Sequence, residues 1–213
     1  MAKSFPPAEC ASELPHLLQK PYSSSDIRKA VRYKRRAIPS DLQHAMSLKA
    51  SQLILSQAPM LKAKHVALYL SQDGELDTQP LIEALWKKGI QTYLPRLHPF
   101  CSGHLLFLHF HANTSLVPNH FGILEPQLHV FDVMPIEAID VMVTPLVAFD
   151  VNGQRIGMGG GYYDRTLANW RDVGSPVPMG YAHDCQQVHP IESQPWDIPL
   201  PYIITPTQVM LNR

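Results

Sequence analysis

The sequence predicts a three-layer, Rossmann-like α/β domain with a largely parallel central sheet. Three observations carry that expectation. Short apolar runs alternate along the chain with stretches of helical periodicity. One run, from Val141 to Phe149, is apolar over most of its length, as a strand buried on both faces must be. The 213 residues, 45% of them apolar, are also enough for one sizeable core.

Residues 1–22 mix Pro, Ser and polar side chains and read as a flexible arm, leaving 23–213 as a single domain. Ser24-Ser25-Asp26 can cap a helix running to about Arg36. That helix carries Arg28, Lys29, Arg32, Lys34, Arg35 and Arg36. Arg28 and Arg32, four apart, share a face. The row is either a solvated basic face or two guanidiniums placed for a polyphosphate. Ser40 begins a second helix to about Gln57, with Leu42, Ala45, Met46, Ala50, Leu53 and Ile54 as its core face.

Residues 65–70 form a short buried strand that ends in Ser71-Gln-Asp-Gly-Glu75-Leu-Asp-Thr78. Thr78 can cap the next helix, with Pro80 in its first turn and Gly89 past its end. Loops at strand C-termini are where open α/β sheets bind ligands. Glu75, taken alone, is equally an exposed loop acid. Residues 91–96 form the next strand, ending in an arginine, Arg96, that reads as a surface residue. Residues 104–111 form another, in which His109 and His111 alternate onto one face. Zinc sites want three or four protein ligands, and no third stands nearby, so a metal is not expected there. Residues 121–126 read as a loop and 178–183 as a strand. Residues 198–205 read as a last strand, which Pro199 and Pro201 push to a sheet edge.

Composition excludes several partners. Formal net charge is zero and the pI is about 7.2, so the basic excess of a nucleic-acid binder is missing. Three dispersed cysteines, Cys10, Cys101 and Cys185, without a CxxC motif fit a reducing cytoplasm. No apolar run reaches membrane-spanning length. Pro6, Pro7 and Glu9 stand where a secretion signal would need an apolar core.

The most informative stretch follows Asp150. Asn152-Gly153 punctuates the chain. Gly157, Gly159, Gly160 and Gly161 then fall within five positions, ahead of a helix-compatible segment from Tyr162 to Trp170. Glycine lets a ligand approach the backbone, and a helix N-terminus offers unpaired N–H groups to phosphate. A P-loop is excluded, since no Lys or Ser occurs between Gly157 and Asp164. The dinucleotide fingerprint is excluded by Tyr162, where a small residue would be needed. The residues themselves lead to an anion or phosphate cradle, against the plainer reading of a tight strand–helix connection.

Pro145-Leu-Val-Ala-Phe-Asp150, Gly153-Gln-Arg155-Ile-Gly157 and Gly159-Gly-Gly-Tyr-Tyr-Asp-Arg165 together closely resemble the signature of the 5-formyltetrahydrofolate cyclo-ligase family, also called 5,10-methenyltetrahydrofolate synthetases. The resemblance runs from about Ile27 to Thr205 and is weakest between Phe100 and His129. It implies a fold related to sugar-phosphate isomerases and CoA transferases. It also implies an ATP- and Mg²⁺-dependent cyclisation of 5-formyltetrahydrofolate to 5,10-methenyltetrahydrofolate, with release of ADP and phosphate. In that family the formyl oxygen is phosphorylated, N10 attacks the activated carbon and phosphate departs.

Residue by residue, the resemblance gives ATP to Arg28, Arg32, Arg155, Gly157, Met158, Gly159, Gly160, Gly161, Tyr162 and Tyr163. It gives folate to Leu70 and Glu75, magnesium to Asp164 and Asp197, and catalysis to Arg155 and Asp164. Asp164→Asn is accordingly expected to abolish turnover with the fold intact. Many relatives carry Lys where Gly160 stands, and often Asp where Pro201 stands, so the arginines are expected to supply the missing charge. A sugar-phosphate isomerase of the same fold and a non-catalytic nucleotide-binding regulator remain the alternatives. The sequence does not determine oligomeric state; a monomer is the default.

Overall fold

A computed structural model describes residues 23–212; the expected arm at 1–22 lies outside them. Three helices open the described chain: α1 (Ser24–Arg36), α2 (Ser40–Leu55) and α3 (Ala58–Lys62). Strand β1 (His65–Ala67), helix α4 (Gln79–Lys87) and strand β2 (Gln91–Leu97) follow as a βαβ unit, then β3 (Leu105–Phe110), β4 (Leu116–Pro118), β5 (Leu124–Pro126) and β6 (Val133–Met134). The glycine region holds β7 (Val141–Thr144), β8 (Ala148–Phe149), β9 (Arg155–Ile156), α5 (Tyr162–Thr166) and α6 (Trp170–Val173). The chain closes with β10 (Val177–Tyr181), β11 (Tyr202–Ile204) and β12 (Val209–Leu211).

The main sheet has the order β12-β11-β10-β7-β1-β2-β3-β6. The five strands from β11 to β2 are parallel, while β12, β3 and β6 join antiparallel at the two sides. Alternation along the strands builds the layers. Val66, Val141 and Val143 pack with Ile54 of α2 and with Leu81, Ile82 and Leu85 of α4. Their neighbours Ala67 and Met142 pack on the other face with Tyr93, Phe107, Leu167 and the aromatics of the α5–α6 segment. Leu81, Ile82 and Leu85 are completely buried, each worth roughly 1.5–3 kcal/mol of transfer free energy.

Several boundaries depart from expectation. Ser23 is the N-cap of α1, its Oγ accepting from the Asp26 amide at 3.2 Å. No side chain caps α2, whose buried face is Ser47, Ala50, Ser51 and Ile54, with Leu42 exposed. Thr78 precedes α4, but its hydroxyl donates to Tyr69 O at 2.7 Å; Asp77 Oδ1 takes the Gln79 amide instead. The 141–149 run is two elements. Pro145, which has no N–H to give a ladder, ends the in-sheet strand β7, and β8 pairs with β9 in a separate hairpin. Every residue of the run except Pro145 is buried, so its apolar character reported burial and not continuity. Within 121–126, residues 124–126 are strand β5, paired with β4. The last strand shrinks to β11 and is not an edge, because β12 covers it.

Candidate active site

The approach to the glycine loop is set by Asp150, which is fully buried. Its Oδ1 accepts the amides of Asn152 (2.8 Å) and Gln154 (3.0 Å), and its Oδ2 that of Ile191 (2.9 Å). This clamp turns the β8–β9 hairpin and delivers Arg155 ahead of the glycines. Gly159 (φ 101°) and Gly161 (φ 65°) hold left-handed backbone that side-chain-bearing residues resist. A Cβ built on Gly157 would meet nothing within 4 Å, so that stretch of backbone is open. Helix α5 is only five residues long, not the 162–170 helix expected. Its macrodipole is correspondingly small, and any cradle here rests on loop amides. Met158 is exposed and Tyr163 half-buried.

Arg155 and Asp164 meet beside this loop. Arg155 Nη2 lies 2.6 Å from Asp164 Oδ1, with side-chain exposures of 4% and 27%. Arg155 Nη1 also donates to Ile198 O. Burial lowers the Arg155 pKa, and the carboxylates of Asp164 and Asp197 oppose that shift. Asp197 Oδ2 accepts the Gln194 amide at 2.8 Å. Each aspartate therefore keeps one carboxylate oxygen without a hydrogen bond among the described residues. Among those residues no cluster of three or more His, Cys, Asp or Glu could hold a metal. Two carboxylates with spare oxygens nonetheless suit magnesium, which keeps waters and takes one or two carboxylates plus phosphate oxygens.

Helix α1 is not a solvated basic face. Arg28 Nε donates to Gly157 O at 2.7 Å, which puts its guanidinium against the glycine loop. Arg32 turns instead to Asp73 Oδ2 at 2.7 Å. Arg35, only 1% exposed, reaches the same oxygen at 2.9 Å, and Arg36 takes Oδ1. Asp73 sits at φ 55°, a strained conformation for a non-glycine residue that three arginines hold in place. Burial would raise its pKa, but the hydrogen bonds from Arg32, Arg36 and Arg35 prevail and lower it to about 2. Glu75, two residues on, is buried rather than an exposed loop acid. Burial raises its pKa to about 7, although Arg35 Nη2 lies 3.7 Å away. Tyr163 feels both Glu75 and Arg155. Leu70 is half-buried against the core under this loop. His183 is kept near a pKa of about 4 by burial and then by Arg35.

On the other side of α5 a cleft of about 550 Å³ opens between the β2–β3 turn and the β4–β5 hairpin, walled by Arg96, Phe100, His104, Asn119, Glu125 and Tyr162. Arg96 is not a surface arginine. Its Nη1 pairs with buried Glu125 at 2.9 Å and donates to Pro126 O at 2.7 Å. Glu125 also accepts from Leu97 N and Asn119 Nδ2. The structure thus brings Arg28, Arg155, Asp164 and Tyr162 to the glycine loop, and holds Arg32 and Glu75 one layer away at Asp73. Arg35, Asp73 and the Arg96–Glu125 pair escaped the reading of the sequence. For Arg35 a signal existed, because it lies seven residues from Arg28 and three from Arg32, on their face of the helix.

A mixed sheet with a ligand-sized cleft and a glycine loop beside its parallel strands defines an α/β enzyme of the open-sheet kind. The 5-formyltetrahydrofolate cyclo-ligase family model matches residues 21–206, and the chain belongs to that family. The 5-formyltetrahydrofolate cyclo-ligase of Escherichia coli K12 is 52% identical over 179 residues, covering 84% of this chain and 98% of the relative. The Haemophilus influenzae cyclo-ligase is 45% identical over 174 residues, covering 82% and 92%. The solved structure of Aquifex aeolicus 5,10-methenyltetrahydrofolate synthetase superposes with a TM-score of 0.75 at 30% identity, covering 89% of this chain and 93% of that one. No helix among the described residues is long and apolar enough to cross a membrane.

Proposed function

We propose that this enzyme uses ATP and Mg²⁺ to close 5-formyltetrahydrofolate to 5,10-methenyltetrahydrofolate, releasing ADP and phosphate. The observation that carries the reading is the meeting of Arg28, the Arg155–Asp164 pair and open glycine backbone at one loop, with a cleft alongside across Tyr162. Phosphoryl transfer asks a protein for in-line positioning and charge neutralisation more than for covalent chemistry. Loop amides from 157–161 hold phosphate oxygens. Arg28 and Arg155 offset their charge, and Met158, Tyr162 and Tyr163 border the same nucleotide. Arg32 acts less directly, through Asp73. Asp164 and Asp197 would hold the magnesium ion, which when bound withdraws charge from the phosphates.

Leu70 and Glu75 bound one end of the folate on the Tyr163 side, and the cleft across Tyr162 takes the other. The formyl oxygen attacks the γ-phosphorus and ADP leaves. N10 then attacks the activated carbon and loses its proton, and the C–O bond breaks to release phosphate. Buried Tyr69 and half-buried Tyr163, both near Glu75, would help exclude the water that would hydrolyse the phosphorylated formyl group.

The test is an absorbance assay for methenyl product with ATP and Mg²⁺. Product with stoichiometric ADP supports the reading. ATP binding without turnover would mark a regulator, and turnover of a sugar phosphate without ATP would mark an isomerase.

A further inference from the structure

Arg165 is exposed and stands outside the residues assigned above, yet its guanidinium donates to two separate turns. Nε donates to Gly103 O, at the tip of the β2–β3 turn, at 2.7 Å. Nη2 donates to Gly160 O in the middle of the glycine loop. The group also lies 5.7 Å from the centre of the Tyr162 ring. Glycines make the room. A Cβ on Gly103 (φ 81°) would fall 2.6 Å from Arg165 Nη2, and one on Gly161 2.9 Å from Nη1. A Cβ on Gly160 would fall 2.7 Å from the Tyr162 ring. Gly103 and Tyr162 both line the cleft. One planar fork therefore ties the rim of the cleft to the loop proposed to hold phosphate.

Glycine-rich turns are costly to order. A strut between the glycine loop and the β2–β3 turn at Gly103 makes the ordering of one favour the ordering of the other. Accepting the cyclo-ligase reading, we propose that Arg165 is a positioning residue that couples nucleotide binding at 157–161 to folate binding in the cleft beside Gly103. Each ligand fixes one end of the strut and so prepares the opposite site. The coupling is reciprocal by linkage.

The test titrates a non-hydrolysable ATP analogue with Mg²⁺, by calorimetry, with and without saturating 5-formyltetrahydrofolate. The wild-type protein should bind the analogue roughly fivefold or more tightly with folate present. Arg165→Ala should bring that ratio to within about twofold of unity, with the larger change in the ternary complex. Gly103→Ala keeps the charge but displaces the guanidinium from the turn, and it should lose the coupling likewise. A wild-type ratio of one overturns the proposal. So does an Arg165→Ala variant that retains the ratio, or one that weakens the analogue equally in both titrations, as a plain phosphate contact would. Absence of methenyl product from the wild type with ATP is a separate result and refutes the reaction itself.

Discussion

Replacing Glu75 by Gln should stabilise the protein at alkaline pH and leave it nearly unchanged at acid pH. The carboxyl titrates at about 7 in the folded state against 4.5 in the unfolded chain, because burial disfavours its charged form more than Arg35 at 3.7 Å favours it. Below 4.5 the group is neutral in both states and contributes nothing. Between 4.5 and 7 the unfolded chain releases a proton that the folded protein keeps, so folding stability falls as pH rises. Above 7 the loss is complete. Each pH unit of that window is worth ~1.4 kcal/mol, so the full penalty is about 3 kcal/mol.

Glutamine removes the titration but keeps the shape, and its carbonyl can still accept the Gln72 amide that now bonds Glu75 at 3.2 Å. Urea unfolding at pH 5, 6, 7 and 8 gives the difference directly. The variant should gain on the wild type progressively, by up to about 3 kcal/mol at pH 8, while its KM for 5-formyltetrahydrofolate rises. An equal stability difference at every pH, or a variant less stable than wild type at pH 8, would refute the assignment of a buried, reluctantly ionised carboxyl.

Other outcomes follow from single contacts. Arg28→Ala, which removes a charged contact from the glycine loop, should raise the KM for ATP about 10-fold or more. Arg32→Ala should raise it less and act on the folate KM instead, since Arg32 is spent on Asp73; comparing both constants in the two variants checks this. Asp164→Asn should lower kcat more than 100-fold and also reduce stability by ~3 kcal/mol, because it strips the carboxylate from buried Arg155; a thermal melt shows it. Leu85→Ala, in a fully buried position of α4, should cost ~2–5 kcal/mol in urea unfolding with kcat unchanged.

The parallel core of the sheet was legible because strands buried on both faces must be largely apolar, and Val66, Ala67 and Val141 to Val143 are completely buried. The antiparallel margins were not. Strands β6 and β12 are two and three residues long, too short for alternation to register. On α2 the expected core face holds at Met46, Ala50, Leu53 and Ile54, but Leu42 is exposed and two buried serines went unread. Ser47 and Ser51 are buried because their hydroxyls bond Gln43 O and Leu48 O at 2.8 Å, and Ser47 also accepts the Asp77 amide. Hydropathy counts such residues as polar, although their polar atoms are satisfied locally. The glycine signature led to the loop itself, but its partners come from residues 28, 103 and 198, and no local pattern reports contacts at that separation.

Those long-range partners give α1 a second role beside the one proposed for it at the glycine loop. One of its arginines touches the glycine loop, and three others hold Asp73 in a left-handed conformation it would not keep alone. Removing Arg35 would leave Asp73 with two partially exposed arginines and would take the nearest cation from buried Glu75. The carboxyl of Glu75 should then titrate still higher, and the 72–75 loop should lose its fixed geometry. Arg35 is engaged with Asp73 and Glu75 and not with the glycine loop, so Arg35→Met should raise the folate KM and shift its pH dependence upward while leaving the KM for ATP near its wild-type value. An equal rise in both constants would mean that the two ends of α1 act as one rigid piece, and that Asp73 is a structural anchor with no separate bearing on the folate.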